Sequence, residues 1–123
     1  MVLKFLFLQN FRNYKKVEFS FSDRMNLIVG PNAAGKTNLL EAIFLLSIGK
    51  SFRAEKDDQM IRFGESVARV RGAVQLVLNE EDTRLEVVVN SFGQGMQKKY
   101  SVNGVSRRRN AFAGRLSAVI FLP

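Results

Sequence analysis

Apolar and polar positions alternate from Lys15 to Phe21. Val17, Phe19 and Phe21 fall on one side, and Lys16, Glu18 and Ser20 on the other. A period of two predicts a half-buried strand. Val2 to Leu8 reads as a first strand antiparallel to it, with Asn10 to Tyr14 as a polar, aromatic loop between them. Met25 to Val29 is a mainly apolar run bounded by the turn signal Ser22-Asp23-Arg24, which predicts a buried strand. The period then lengthens. Leu39, Ile43 and Leu46 stand at helical spacing, predicting a helix from Thr37 to Ser47 with Gly49 as its stop. Asp57 to Arg62 reads as a short helix with acids in its first turn, ended by Gly64.

From Val67 onward the texture is β. Val67 to Leu78, Thr83 to Asn90, Met96 to Val102 and Val105 to Arg107 read as successive antiparallel strands. Glu80-Glu81-Asp82, Phe92 to Gly95 and Asn103-Gly104 connect them. Asn-Gly is the strongest of these turn signals, because both positions tolerate positive φ. Asn110 is expected to cap a short helix running to Arg115. Ala118 to Leu122 is a further apolar strand. The class is therefore α/β, a mixed sheet with an antiparallel β subdomain. The eleven phenylalanines are expected mostly in its core. A buried strand followed at once by the chain's end, with one long helix to cover the sheet, suggests a fragment of a longer protein.

The link between the apolar run and the helix carries the chemistry. Gly30-Pro31-Asn32-Ala33-Ala34-Gly35-Lys36-Thr37 fits the pattern G-x-x-x-x-G-K-[ST]. Such a loop turns successive backbone N–H groups toward nucleotide phosphates, and the helix that follows adds its positive end. Lys36 would reach the β and γ phosphates, and the Thr37 hydroxyl would hold Mg²⁺. The alternative is an ordinary strand-to-helix turn with a solvated lysine. That alternative does not require a Lys-Thr pair at the helix start.

Composition narrows the field. No apolar run approaches the ~20 residues of a membrane span. Gln9, Asn10 and Arg12 follow the apolar N-terminus too closely for a signal peptide. The chain has no cysteine and no histidine, which removes disulfides, thiol chemistry, histidine-activated nucleophiles and the usual zinc sites. Cysteine absence suits the cytoplasm. The net charge is +8, and it is uneven. Lys98, Lys99, Arg107, Arg108, Arg109 and Arg115 occur after residue 90 with no acid among them. Such a patch either attracts a polyanion by counterion release or forms a solvated face balanced elsewhere.

Three stretches carry a family resemblance: Leu8 to Tyr14, Asn26 to Ile43, and Gly49-Lys50-Ser51-Phe52-Arg53. Ile61 to Gly64 and the Asn103-Gly104 hairpin match more weakly. The chain resembles the N-terminal part of the RecF family of recombination mediators, ABC-type ATPases related to the SMC proteins. Thr37-Asn38-Leu39-Leu40-Glu41-Ala42 after the loop favours RecF over SMC. The resemblance implies a P-loop NTPase head lobe in three parts: a phosphate-loop core over 1–66, an antiparallel subdomain over 67–109, and a return helix and strand over 110–123.

It further implies that Gly30 to Thr37 and Asn38 bind ATP, with Arg12 and Asn13 beside the nucleotide and Thr37 on Mg²⁺. Lys50, Arg53, Lys98, Lys99, Arg107, Arg108 and Arg109 become candidates for double-stranded or gapped DNA. Phe52 is expected in the core rather than as a DNA wedge. The implied whole-protein role is ATP-dependent binding at DNA gaps and junctions in repair and replication, helping a recombinase load, with RecR and a second copy as partners. The family's second acidic motif and signature segment do not occur in this stretch, so nucleotide binding without efficient turnover is expected. Rival readings are an SMC-like chromosome-maintenance head and a basic nucleic-acid-binding module with no nucleotide role.

Overall fold

The structure, a computed structural model, describes residues 2–21, 34–75, 81–91 and 95–116. Its centre is a six-stranded sheet. The strands are β1 (Val2–Phe11), β2 (Tyr14–Ser20), β3 (Val67–Gln75), β4 (Thr83–Asn90), β5 (Gln97–Val102) and β6 (Val105–Arg107). Their order is β2-β1-β3-β4-β5-β6, and every described pairing is antiparallel. The expected strands Met25 to Val29 and Ala118 to Leu122 lie outside the described residues. So do the C-terminal end of the expected Val67 to Leu78 strand and most of the Phe92 to Gly95 connection. β3 pairs with β1 from Val2 to Gln9, so strands from either side of residues 66 and 67 share one sheet.

Register explains which face is buried. Leu8 sits opposite Val17 and Val70, Val70 opposite Val87, and Val87 opposite Tyr100. Leu6, Ala68, Val74, Leu85, Val89 and Val102 share that face and are buried. Helix α1 (Ala34–Ile48) covers it with Leu39, Ala42, Leu45 and Leu46. Burying each large aliphatic side chain contributes about 1.5–3 kcal/mol. Gly72 lets the helix approach. A Cβ there would lie 2.7 Å from Leu46 Cδ1. The opposite face is mixed, carrying Phe5, Phe7 and Val88 beside charged residues, with Glu86 paired to Arg71 at 2.8 Å and Arg71 lying over the Phe7 ring.

α1 ends where glycine allows. Gly49 has φ +82°, and its N–H donates to the Leu45 carbonyl at 2.8 Å, an αL cap. A side chain at this position would also strike Arg109 Cγ at 2.9 Å. The last carbonyls of α1 have outside donors: Tyr100 Oη to Gly49 O at 2.7 Å and Arg109 Nε to Ile48 O at 3.1 Å. Cations at a helix C-terminus also complement its dipole.

The Asn103-Gly104 turn holds as expected, with φ of +51° and +81°. Asn103 Oδ1 accepts from the Arg84 N–H at 2.8 Å, tying the turn to the start of β4. The helix expected from Asn110 to Arg115 is instead the single turn α2 (Arg109–Phe112). Arg108 holds its N-cap position and makes no side-chain cap bond, so Asn110 caps nothing. Tertiary anchoring replaces the cap. Phe112 is fully buried against Tyr100, and Ser47 Oγ donates to the Leu116 carbonyl at 2.5 Å. The Asp57 to Arg62 helix is likewise only a 3₁₀ turn, Asp57–Met60.

Candidate nucleotide site

The β1–β2 connection is shorter than the sequence suggests. β1 runs on to Phe11, leaving Arg12-Asn13 as a two-residue turn. Asn10 and Arg12 both have positive φ, which costs on the order of 1 kcal/mol each. Bonds from outside the hairpin hold them there. The Arg12 N–H donates to Met60 O and the Arg62 N–H donates to Asn10 O, each at 2.8 Å, while Phe11 bridges to Ile61.

That backbone turn aims Arg12 at α1. Its Nε and Nη2 donate to Glu41 Oε1 and Oε2, both at 2.7 Å, a two-pronged guanidinium–carboxylate pair. Glu41 is completely buried. Arg53 Nη2 donates to Glu41 Oε1 at 3.1 Å and also to Asn38 Oδ1. Ser51 Oγ donates to Glu41 Oε2 at 2.5 Å and accepts from the N–H groups of Arg53 and Ala54, fixing the loop that carries Arg53. Asn38 Nδ2 donates to Asn13 Oδ1 at 2.7 Å. Asn38 and Glu41, three residues apart, share one face of α1. Burial pushes the Glu41 carboxyl up, but the bonds from Arg12, Arg53 and Ser51 outweigh it and hold the group below its ordinary value.

Above this network opens a cavity of about 800 Å³, lined by Arg12, Asn13, Asn38, Arg53, Asp58, Gln59, Ile61 and Phe63. Glu41 faces two guanidinium groups, and Asp58 is the other acid at the cavity. Arg12 and Arg53 stay 22% and 32% exposed, open to a further anionic partner. Ala34 to Thr37 form the first turn of α1, which contains no acid to oppose an anion. Gly30 to Ala33 lie outside the described residues. Thr37 is half-buried, and its hydroxyl is an oxygen ligand of the kind Mg²⁺ takes. No cluster of carboxylates suited to a metal occurs among the described residues. Mg²⁺ bound through Thr37, phosphate oxygens and waters fits that donor set.

The basic candidates divide. Lys98 is engaged, 3.3 Å from Asp57 and 3.4 Å from Gly49 O. Arg109 is spent partly on the end of α1, and Arg53 belongs to the Glu41 network. Lys50, Lys99, Arg107 and Arg108 are exposed. Arg107 sits opposite Tyr100, on the helix side of the sheet, so Lys99 points to the other side. Phe52 is half-buried and packs edge-on against Phe44 at 5.5 Å, outside the core cluster it was expected to join.

Sequence reasoning quoted Glu41 and Ser51 in the matching stretches but gave neither a role in the site. The signal was present: a carboxylate interrupts the apolar stripe of Leu39, Ala42, Leu45 and Leu46. A charge buried among such residues requires partners.

The sheet and the helix that opens in Gly35-Lys36-Thr37 have the α/β arrangement expected for the first lobe of an ABC-type head. The family model described as the RecF/RecN/SMC N terminal domain matches residues 2–123, and the chain belongs to that family. It is 38% identical over its full length to the DNA replication and repair protein RecF of Shouchella clausii, of which it covers 32%. It is equally identical to RecF of Ligilactobacillus salivarius, covering 31%. The chain thus spans about a third of the length of these relatives. Among solved structures it resembles the recombination mediator protein RecF-ATPrS in the RecFOR pathway. The TM-score is 0.87 at 40% identity, over 99% of this chain and 32% of that one. The SMC head domain from Thermotoga maritima is more distant, with TM-score 0.66 at 27% identity over 90% of this chain and 40% of that one.

Proposed function

We propose that this chain is the ATP-binding N-terminal part of a RecF-like recombination mediator. The observation that carries the reading is the paired Arg12 and Arg53 beside a helix that opens in Gly35-Lys36-Thr37. The solved relatives described as RecF-ATPrS and RecF-ATP support ATP as the nucleotide. In this reading Gly30 to Thr37, with Asn38, cradle the phosphates, Lys36 meets the β and γ groups, and Thr37 with phosphate oxygens holds Mg²⁺. Arg12 and Asn13 border the bound nucleotide. Double-stranded or gapped DNA, RecR and an ATP-dependent second copy are the partners of the whole protein, whose role is recombinase loading in repair. No helix among the described residues is long and apolar enough to cross a membrane.

The direct test is thermal unfolding with and without Mg-ATP. A ligand that binds only the folded state stabilises it by about 2.7 kcal/mol at one hundred times its Kd. A clear rise in Tm is expected; an unmoved Tm at millimolar Mg-ATP contradicts the proposal.

DNA binding rests on the exposed cations. Arg107→Glu combined with Arg108→Glu should weaken duplex binding for all sequences alike. It should also flatten the slope of log K against log salt by roughly 2, about one per lost phosphate contact. Fluorescence anisotropy across a salt series checks this. A loss confined to particular sequences, or an unchanged slope, argues against phosphate tracking by these residues.

A further inference from the structure

Phe63 is 102% exposed, the most exposed large apolar side chain among the described residues. A single apolar side chain in water is ordinary. Its position is not. The ring borders the same cavity as Arg12, Asn13, Asn38 and Arg53. Its backbone is fixed rather than free. The Glu65 N–H donates to Arg62 O at 3.0 Å, closing the turn, and the Arg62 N–H donates to Asn10 O at 2.8 Å. Just before it, Met60 and Ile61 are buried in the core. The segment that orients Arg12 therefore also presents Phe63.

The cavity lining is chemically mixed. Arg12 and Arg53 bring guanidinium groups to it, and Phe63, Asp58 and Gln59 bring an aromatic ring, a carboxylate and an amide. Gln59 Oε1 accepts from the Glu55 N–H at 3.0 Å, which leaves its amide N–H groups as donors. A nucleoside triphosphate has the matching polarity: an anionic tail, and a flat base whose rim carries donors and acceptors. A phenyl ring has no charge to offer a phosphate, but it offers a stacking surface to any base.

We propose that Phe63 is the stacking platform for the base of the bound nucleotide, with Gln59 at the base's edge. The proposal rests on the nucleotide reading above and adds what holds the end of the ligand away from the phosphates. It makes Phe63 a binding residue for nucleosides and not for phosphate.

Calorimetric titration of the full chain with two ligands, Mg-ATP and Mg-tripolyphosphate, tests it. Alanine substitution of a stacking aromatic typically costs 1–3 kcal/mol per base, so Phe63→Ala should weaken Mg-ATP by about 5–150-fold. Its tripolyphosphate affinity should stay at the wild-type value, and Phe63→Tyr should restore ATP binding. An unchanged ATP affinity in Phe63→Ala overturns the platform. So does an equal loss for both ligands, which would mean a general distortion of the site. A wild-type chain that binds tripolyphosphate as tightly as ATP also overturns the platform while leaving the phosphate site standing. Failure of the wild type to bind either ligand overturns the nucleotide reading, and the platform with it.

Discussion

Replacing Glu41 with Gln should destabilise the fold by about 3 kcal/mol. Removing one member of a buried ion pair typically costs 3–5 kcal/mol, because the partner's charge is left uncompensated. Glu41 is fully buried and serves two guanidinium groups and a hydroxyl. Gln keeps the shape but loses the charge, and its amide N–H₂ would face the arginine that the second carboxylate oxygen now serves. Arg12 and Arg53 retain some contact with water, which places the loss toward the lower end of the range. Urea unfolding measures it from the midpoint and slope. A loss below about 1 kcal/mol would show that solvent compensates the arginines and that the network is marginal to folding.

The same pair has a pH signature. The folded Glu41 carboxyl titrates below its ordinary value of 4.5. Its contribution to stability is therefore complete above that value and is lost as pH falls through the lower, folded one. The stability gap between wild type and Glu41→Gln should be full at neutral pH and narrow progressively below about pH 4.5. A gap that widens on acidification would mean that the carboxyl is held protonated in the fold.

Elements whose stability is local were legible in the sequence. The alternation of β2 gives Val17 and Phe19 to the core and leaves Lys16, Glu18 and Ser20 exposed. Asn103-Gly104 makes its turn, and Gly49 stops α1. What escaped depends on distant partners. The Arg12-Asn13 turn is set by Met60 and Arg62, roughly fifty residues away, so the local reading made it a longer loop. α2 is short because Phe112 and the strap from Ser47 fix it, where local propensity suggested a cap at Asn110.

The site divides in the same way. The Lys-Thr motif announces phosphate by itself. The partners of Glu41 become visible only when two separate segments, the Arg12 turn and the Ser51–Arg53 loop, converge on it. Charge alone also misled by distance. Lys98 and Arg109 count toward the basic third in sequence, yet in space they serve the C-terminal end of α1 and Asp57. Formal charge fixes the total field; packing decides which cations remain available to a polyanion.

Lys36→Ala should reduce Mg-ATP affinity by about 10–100-fold and leave unfolding without nucleotide nearly unchanged. Lys36 stands in the first turn of α1, at the end of the phosphate-loop pattern. There a lysine acts as a point charge on phosphate. Losing a hydrogen bond to a charged group costs about 1.5–3 kcal/mol, which corresponds to that range of affinity. Alanine is the best helix former, so α1 itself should not suffer. This separates the variant from Glu41→Gln, whose main effect is on folding. Calorimetric titration gives the affinity and urea unfolding the stability. An unchanged affinity would remove Lys36 from the phosphate site and leave the Arg12–Arg53 floor as a general anion site. A large fall in stability without nucleotide would instead make Lys36 a structural cation, and its effect on ATP would be indirect.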